Sequence, residues 1–220
     1  MTEQSIQVFQ DLHLRALSAD VSIRERILSH IQAPWRHDPD RERNVRGYAS
    51  TQEDVIALIR EPFEGIDEVA LVLWQEEYGY RVANIVPRKA GELGIAKYNE
   101  VLQHFVTQVA RPAAQLGGFA VDLTVAKQTV DDWLEAVPAA SLRRFSGAAN
   151  KSTGASHPKD QERWYDFLID AHRTAARLGA DQLVRWLVEV EDWPSETAHE
   201  LAIEYEFARG LLQKYDGLRT

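Results

Sequence analysis

The sequence predicts an α+β fold, with a small antiparallel sheet of about three strands and helices followed by an all-helical C-terminal part. Apolar and polar residues alternate only before residue 127, and a period of two is typical of half-buried strands. Every later segment repeats its apolar residues at helical spacing. We therefore expect an α+β part over residues 1–127 and a helical part over residues 128–220, as two domains or as one compact domain.

Helical spacing first occurs in residues 23–31, whose isoleucines and leucine fall on one face. Residues 33–48 contain two prolines and charges of both signs, a composition that favours a surface connection. Ser50 or Thr51 is then expected to cap a second helix, which continues to about Arg60 and is ended by a nearby proline.

The strands are predicted next. Residues 69–74, VALVLW, are rich in strand-forming residues, and a turn near Gly79 connects them to a second strand over residues 81–87, so this pair is expected to form a hairpin. Residues 95–116 have the apolar spacing of a long helix, which a Gly-Gly pair ends. Residues 119–125, FAVDLTV, alternate and predict a third strand.

After residue 127 the sequence predicts only helices, in the segments VDDWLEAV, AASLRRF, PKDQERWYDFLIDAHRTAARL, ADQLVRWLVEVE and SETAHELAIEYEFARGLLQKY. They are separated by Pro138, a Ser/Gly/Asn-rich stretch, Gly179 and Pro194, all of which are typical helix breakers. The third and last segments each carry one apolar stripe, so we expect these helices to pack into a small bundle or layer.

The composition excludes several classes of site and partner. The 34 acidic residues outnumber the 25 basic ones, and the net charge of -9 repels a phosphate backbone, so we expect no nucleic-acid partner. The absence of cysteine excludes disulfides, thiolate metal sites and cysteine nucleophiles. The polar start MTEQSIQVFQ and the lack of a long apolar run predict a cytoplasmic protein without a membrane partner.

No complete catalytic or metal-binding pattern is present, so we expect no catalytic residue, no metal and no cofactor. His199 begins HELAI, which lacks the second histidine of an HExxH zinc site. No serine lies in the G-x-S-x-G context of a nucleophile elbow. The helix that follows Pro194 is acidic, which is the wrong sign for a helix that enters a DNA groove.

The stretch SGAANKSTGASH, residues 146–157, is a candidate for a working loop. It is not a P-loop, because Asn150 and Phe145 stand where that loop requires glycine. A looser anion-binding site remains open, formed by the hydroxyls and cations Arg143, Arg144, Lys151, Ser152, Thr153 and Arg163. The interpretation that we favour is an exposed connector, whose small polar residues hydrogen-bond their own backbone.

Candidate contacts to a partner protein are two tryptophans and an acidic helix face. Trp35 and Trp193 adjoin prolines in polar surroundings, where an exposed ring could anchor a partner. Glu196 and Glu200 belong to a run of acidic residues between positions 189 and 206, which favours a basic partner.

These observations favour a non-catalytic, bacterial-type cytosolic accessory protein that binds another protein, in the manner of an immunity protein or antitoxin that masks its partner. The competing hypothesis is an enzyme or ligand-binding protein with an anionic, phosphate-type small molecule bound around Arg143–Arg163. A structural subunit of a larger complex is a third class, which the sequence does not separate from the first. The oligomeric state is left open.

Overall fold

The computed structural model describes residues 4–18, 20–49, 53–63, 65–89, 91–174 and 176–218. The chain divides into two compact units. We call Gln7–Ala126 the sheet unit, and Met1–Ile6 together with Lys127–Thr220 the helical unit. The fold is α+β, with antiparallel strands in the first half and most of the helices in the C-terminal half.

The first part of the chain contains most of the strands. Its elements are β1 (Ser5–Gln7), β2 (Leu12–Ala16), α1 (Ile23–Ser29), β3 (Trp35–His37), α2 (Pro39–Ala49), β4 (Val55–Arg60), β5 (Val69–Glu76), β6 (Gly79–Pro87), α3 (Gly94–Phe105), a π-helical segment (Val106–Ala110), α4 (Arg111–Gln115) and β7 (Phe119–Leu123). Six of the strands form one antiparallel sheet in the order β3-β4-β5-β6-β2-β7. The sheet is therefore twice the predicted size.

The hydrophobic core of the sheet unit lies between the sheet and its helices. Helix α2 packs on β4, α3 packs on β6 and α1 packs on α4. Buried leucines, valines and isoleucines of the strands meet the apolar face of α3, the π-helical segment and α4. Burial of these apolar side chains is the main favourable contribution to folding.

The helix predicted to run to about Arg60 is wrong, because Val55–Arg60 is strand β4. All six residues of β4 are buried between β3 and β5. A short, continuous apolar run fits a fully buried strand and a buried helix equally well, and here the neighbouring strands decide. The predicted caps Ser50 and Thr51 lie outside the described residues.

The surface connection predicted over residues 33–48 is also wrong, because β3 and α2 lie there. Pro39 is the first residue of α2, a position where proline's missing N–H costs no hydrogen bond. Asp38 precedes it, and its carboxylate accepts a hydrogen bond from the backbone N–H of Arg41 at 3.1 Å. The prolines therefore mark a helix start rather than a loop.

The other predicted elements of the sheet unit are confirmed. Strands β5 and β6 form a hairpin that turns immediately before Gly79. The long helix is present as α3, the π-helical segment and α4 in succession, and the third strand is β7. Strand β2 was missed, although Leu12 and Leu14 alternate with polar residues and are fully buried.

The second part of the chain consists of β8 (Lys127–Thr129), α5 (Val130–Trp133), α6 (Ala136–Ala148), α7 (Pro158–Arg173), α8 (Ala180–Glu189) and α9 (Ser195–Asp216). Strand β8 pairs with β1 in a two-stranded sheet. No strand follows β8 in the part of the chain that the structure describes, so the helical C-terminal part is confirmed. Pro138 does not break α6, because it lies in the first turn.

Aromatic rings hold the core of the helical unit together. Phe145 on α6 contacts Trp164 on α7, with ring centroids 4.9 Å apart, and stacks on Trp193 at 5.4 Å. Phe167 on α7 stacks on Tyr205 of α9. All of these rings are buried. Helices α6, α7 and α9 are thereby fixed to one another, and the surface between α7 and α9 has a defined shape.

Candidate functional site

The structure does not assemble the expected anion site, because the cations bind separate acceptors. Arg143 forms an ion pair with Asp131, and Arg163 donates to Asp160 at 2.6 Å. The ammonium group of Lys151 donates to the backbone carbonyl of Glu191. Arg144 is exposed. These side chains do not converge on one point where an anion could bind.

The hydroxyl groups of the expected anion site are used within their own loop. The backbone N–H and the hydroxyl of Ser152 both donate to the side-chain oxygen of Asn150. The backbone N–H of Thr153 donates to the carbonyl of Asn150 at 3.1 Å. As predicted for a connector, the stretch hydrogen-bonds its own backbone. The predicted bounds were wrong at one end, because residues 146–148 are the last residues of α6. The stretch is also not fully exposed, because Ser146 is buried and Gly154 is buried against α9.

Gly154 explains how the connector is held in place. Its φ of +59° is a left-handed conformation that glycine adopts without strain. A Cβ atom at this position would lie 3.1 Å from Cγ2 of Thr197 on α9, closer than an ordinary contact. The loop from Thr153 to Ser156 therefore packs against α9 and forms one end of the groove described next.

Neither expected tryptophan anchor is available to a partner. Trp35 is 2% exposed, and its indole N–H donates to Nδ1 of His104 at 2.8 Å. Trp193 is 3% exposed and donates to the hydroxyl of Ser146 at 2.7 Å. Both rings belong to hydrophobic cores, and the prolines beside them do not expose them.

The helical unit has a groove between α7 and α9, with a volume of about 560 Å³. We call it the α7–α9 groove. Leu168 of α7 and Leu201 of α9 are buried at its floor. Its walls carry large apolar side chains that are 40–72% exposed, namely Tyr165, Ile169, Phe207 and Leu211. Exposed apolar side chains that line a concave surface are typical of binding sites.

One end of the groove is acidic. Glu200 and Glu204 line it, and Glu196 lies one turn before Glu200 on the same side of α9. One carboxylate oxygen of Glu204 accepts a hydrogen bond from the buried indole N–H of Trp164 at 2.9 Å. Among the described residues, no cation lies within 4 Å of these three carboxylates. The predicted residues Glu196 and Glu200 are therefore brought to one surface, with uncompensated negative charge.

The apolar half of this site was not predicted from the sequence. Helix α9 is apolar on two sides: Leu201, Ala202 and Tyr205 are buried, whereas Ile203 and Phe207 are more than two-thirds exposed. Helix α9 packs against α7 and α8, and Ile203 and Phe207 stay exposed beside these contacts. The second stripe was the available signal, because exposed apolar side chains in a row are typical of a surface that binds a partner.

The sheet unit contains a cluster of charged groups, which we call the arginine–carboxylate cluster. It consists of Arg24, His37, Glu42, Arg46, Asp54 and Tyr80. Glu42 is 4% exposed and accepts from Arg24 at 2.7 Å, from the ring of His37 at 2.7 Å and from the backbone N–H of Ala57 at 3.1 Å. Asp54 binds both arginines and accepts from the hydroxyl of Tyr80 at 2.6 Å.

The cluster shifts the titration of its own groups. Burial acts to raise the pKa of Glu42, but the hydrogen bonds from Arg24 and His37 outweigh it, and the pKa is lowered. The pKa of Asp54 is lowered too, because the hydrogen bond from Tyr80 and the nearby arginines outweigh burial. Burial and the hydrogen bond to Asp54 raise the pKa of the Tyr80 hydroxyl. Since every acceptor is already used by the fold, we assign this cluster to stability.

Folding stability is expected to fall as the pH drops below about 4.5. The folded-state pKa values of Glu42 and Asp54 lie below their ordinary values of 4.5 and 3.8, so the unfolded chain binds protons first. Their contribution is complete above these ordinary values and is lost as the pH falls through the folded pKa values. Tyr80 has the opposite sign, and its contribution is lost as the pH rises above 10.0.

Urea unfolding followed by tryptophan fluorescence at a series of pH values measures this dependence. An unfolding free energy that stays constant between about pH 5 and pH 3 would contradict the assignment of the cluster to stability.

Comparison with known protein families, curated proteins and solved structures finds no match to this chain. Within the described residues, no group of three or more histidines and carboxylates could hold a metal ion. None of the described helices is both long enough and apolar enough to cross a membrane.

Proposed function

We propose that this protein binds another protein through the α7–α9 groove, as a non-catalytic, cytoplasmic accessory protein in the manner of an immunity protein or antitoxin. The observation that carries the proposal is the pairing of exposed apolar walls with an uncompensated acidic end in one groove. An apolar anchor surrounded by charge is the usual composition of a protein-binding surface.

The apolar walls favour an amphipathic helix as the bound segment. The groove runs between two helices, and its walls carry Tyr165 and Ile169 on α7 and Phe207 and Leu211 on α9. The two residues of each pair are four positions apart, so each wall presents one ridge of the i, i+4 type used in helix packing. A helix with apolar residues at positions i, i+3, i+4 and i+7 fits between two such ridges.

The acidic end determines the charge of the partner. Glu196, Glu200 and Glu204 would repel an acidic segment and attract lysine or arginine side chains. The net charge of -9 adds a longer-range attraction for a basic protein. The partner is therefore proposed to present a helix with an apolar face and cations at one end.

The described contacts of three of the predicted cations favour protein binding over the competing function. A phosphate-type small molecule requires free cations, whereas Arg143, Lys151 and Arg163 bind acceptors of the protein itself. The α7–α9 groove is acidic at one end and repels anions.

Replacing Ile169 with aspartate is expected to abolish partner binding without unfolding the chain. Ile169 is 40% exposed on the groove wall, so the change places a charge where an apolar anchor binds. Proteins that co-purify with the wild-type chain from its native host are compared with those retained by I169D. At least one of them is expected to fall tenfold or more.

The matched control is Leu17→Asp, a change at a 70% exposed leucine of the sheet unit, which should retain the same proteins. Circular dichroism melting curves establish that both variants are folded. Equal capture by wild type and I169D, or equal loss with L17D, would overturn the assignment of the groove.

A further inference from the structure

The second half of α9 lacks a neighbour along one side. From Glu206 to Asp216 each described residue is exposed or only half-buried. Exposed apolar side chains recur on this side at Ile203, Phe207 and Leu211, four residues apart, and the exposed Leu218 follows just after the end of α9. We call these four residues the outer stripe. The stripe continues the α9 wall of the groove, because Phe207 and Leu211 belong to both.

A glycine lies at the edge of this side of the helix, halfway along its second half. Gly210 follows Phe207 by three residues and precedes Lys214 by four, so it neighbours both on the helix surface. A Cβ atom at Gly210 would meet nothing within 4 Å in this chain, so the fold itself does not require glycine there. Glycine within a helix costs stability relative to alanine, but it allows another helix to approach closely.

The charges on this side of α9 are complementary to those of a second, antiparallel α9. Glu204 and Lys214 are both exposed, and they lie five residues before and five residues after Arg209. If a second α9 runs antiparallel with its centre at the same position, Glu204 of each copy faces Lys214 of the other. In that register Phe207 of each copy faces Leu211 of the other. A parallel arrangement would instead place Glu200 and Glu204 against the same acids of the second copy.

We propose that the groove is occupied by α9 of a second copy of this chain when the partner is absent, with the two helices antiparallel, centred at the level of Arg209 and in contact beside Gly210. The proposal rests on the proposed function, because the same groove would receive both occupants. The arrangement is isologous, so each contact occurs twice and the assembly closes as a dimer.

The size of this contact makes the dimer weak. Residues 200–216 of α9 span roughly 25 Å at 1.5 Å per residue. A helix lying between two others covers a strip about 20 Å wide, so each copy buries on the order of 500 Å², below the roughly 800 Å² of a standard interface. We therefore expect a dissociation constant in the micromolar range and competition between the second copy and the partner.

Sedimentation equilibrium of the full chain at about 5 to 500 µM tests the proposal. The average mass of the wild type is expected to rise from 25.0 kDa towards twice that value. Gly210→Leu should weaken the dimer at least tenfold, although an added Cβ atom meets nothing within 4 Å in the monomer and leucine favours the helix over glycine. Lys214→Glu should weaken it as well, and Lys97→Glu, a matched charge reversal on the exposed side of α3, should not.

The variants also separate a specific contact from nonspecific association. Adding Glu204→Lys to Lys214→Glu exchanges the two charges, so the double variant should dimerise more strongly than Lys214→Glu alone. If the wild-type protein stays monomeric at every concentration, the proposed self-association is overturned. That result would not contradict the binding of a partner in the groove. A dimer that Gly210→Leu and Lys214→Glu leave unchanged would overturn the assignment to α9.

Discussion

Replacing Gly79 with alanine is expected to destabilise the protein by about 3 kcal/mol or more. Gly79 begins β6 and pairs with Arg15 of β2. A Cβ atom at this position would lie 1.8 Å from the carbonyl oxygen of Leu14, far inside contact distance. The obstacle is backbone, which cannot rotate away as a side chain can, so β2 and β6 must separate locally. Urea unfolding followed by tryptophan fluorescence measures the loss.

Gly47→Ala is the matched control. Gly47 is an exposed residue within α2, and an added Cβ atom there meets nothing within 4 Å. Because alanine favours a helix over glycine, this variant should be as stable as the wild type or more stable by up to about 1 kcal/mol. A Gly79→Ala variant within about 1 kcal/mol of the wild type would contradict the close approach of β2 and β6.

Replacing Glu42 with alanine is expected to cost about 3–5 kcal/mol. Its carboxylate is the common acceptor of Arg24, His37 and the backbone N–H of Ala57. Removing it leaves a buried N–H without its acceptor and a half-buried arginine without one of its two carboxylates. Urea unfolding near neutral pH measures the change, and the loss of stability in acid should also become shallower.

Asp40→Asn provides the control on the same helix. Asp40 pairs with Arg43, but both side chains are more than three-quarters exposed. Exposed ion pairs contribute little, so this change should cost no more than about 1 kcal/mol. Equal costs for Glu42→Ala and Asp40→Asn would show that the cluster does not stabilise the sheet unit.

The elements that the sequence predicted correctly are those whose apolar repeat is long or is bounded by turn-forming residues. Helices α7 and α9 repeat their apolar residues over several turns, and β5 and β6 flank a turn at Gly79. Such patterns exclude other structures, because a helical period cannot bury one face of a strand. The same argument applies to the long helix from α3 to α4, whose end is marked by two glycines.

The elements that were wrong are those in which local signals are ambiguous. The run VIALIR of β4 contains no polar residue until its end, and only its place between β3 and β5 makes it a strand. Pro39 ends a helix or starts one depending on the residue that precedes it. Contacts between residues far apart in the chain determine the structure of these segments. A local sequence pattern carries no information about such contacts.

In the candidate site, too, the features that a local pattern carries were predicted and those that depend on distant residues were not. Glu196 and Glu200 were predicted because charge on one side of a helix is visible in the sequence. Trp35 and Trp193 were misplaced because burial depends on rings from distant elements, such as His104 for Trp35 and Phe145 for Trp193. The groove itself arises only when α7 and α9 lie side by side.

Site-specific photo-crosslinking in the native host tests most directly whether the α7–α9 groove contacts another protein. A photoreactive amino acid replaces Ile169 in the groove or, as the control, Tyr78, a 68% exposed residue of the sheet unit. We expect irradiation to attach a partner protein at position 169 and not at position 78, distinct in mass from a crosslinked pair of this chain. Attachment of the same protein at position 78 with none at position 169 would contradict the claim.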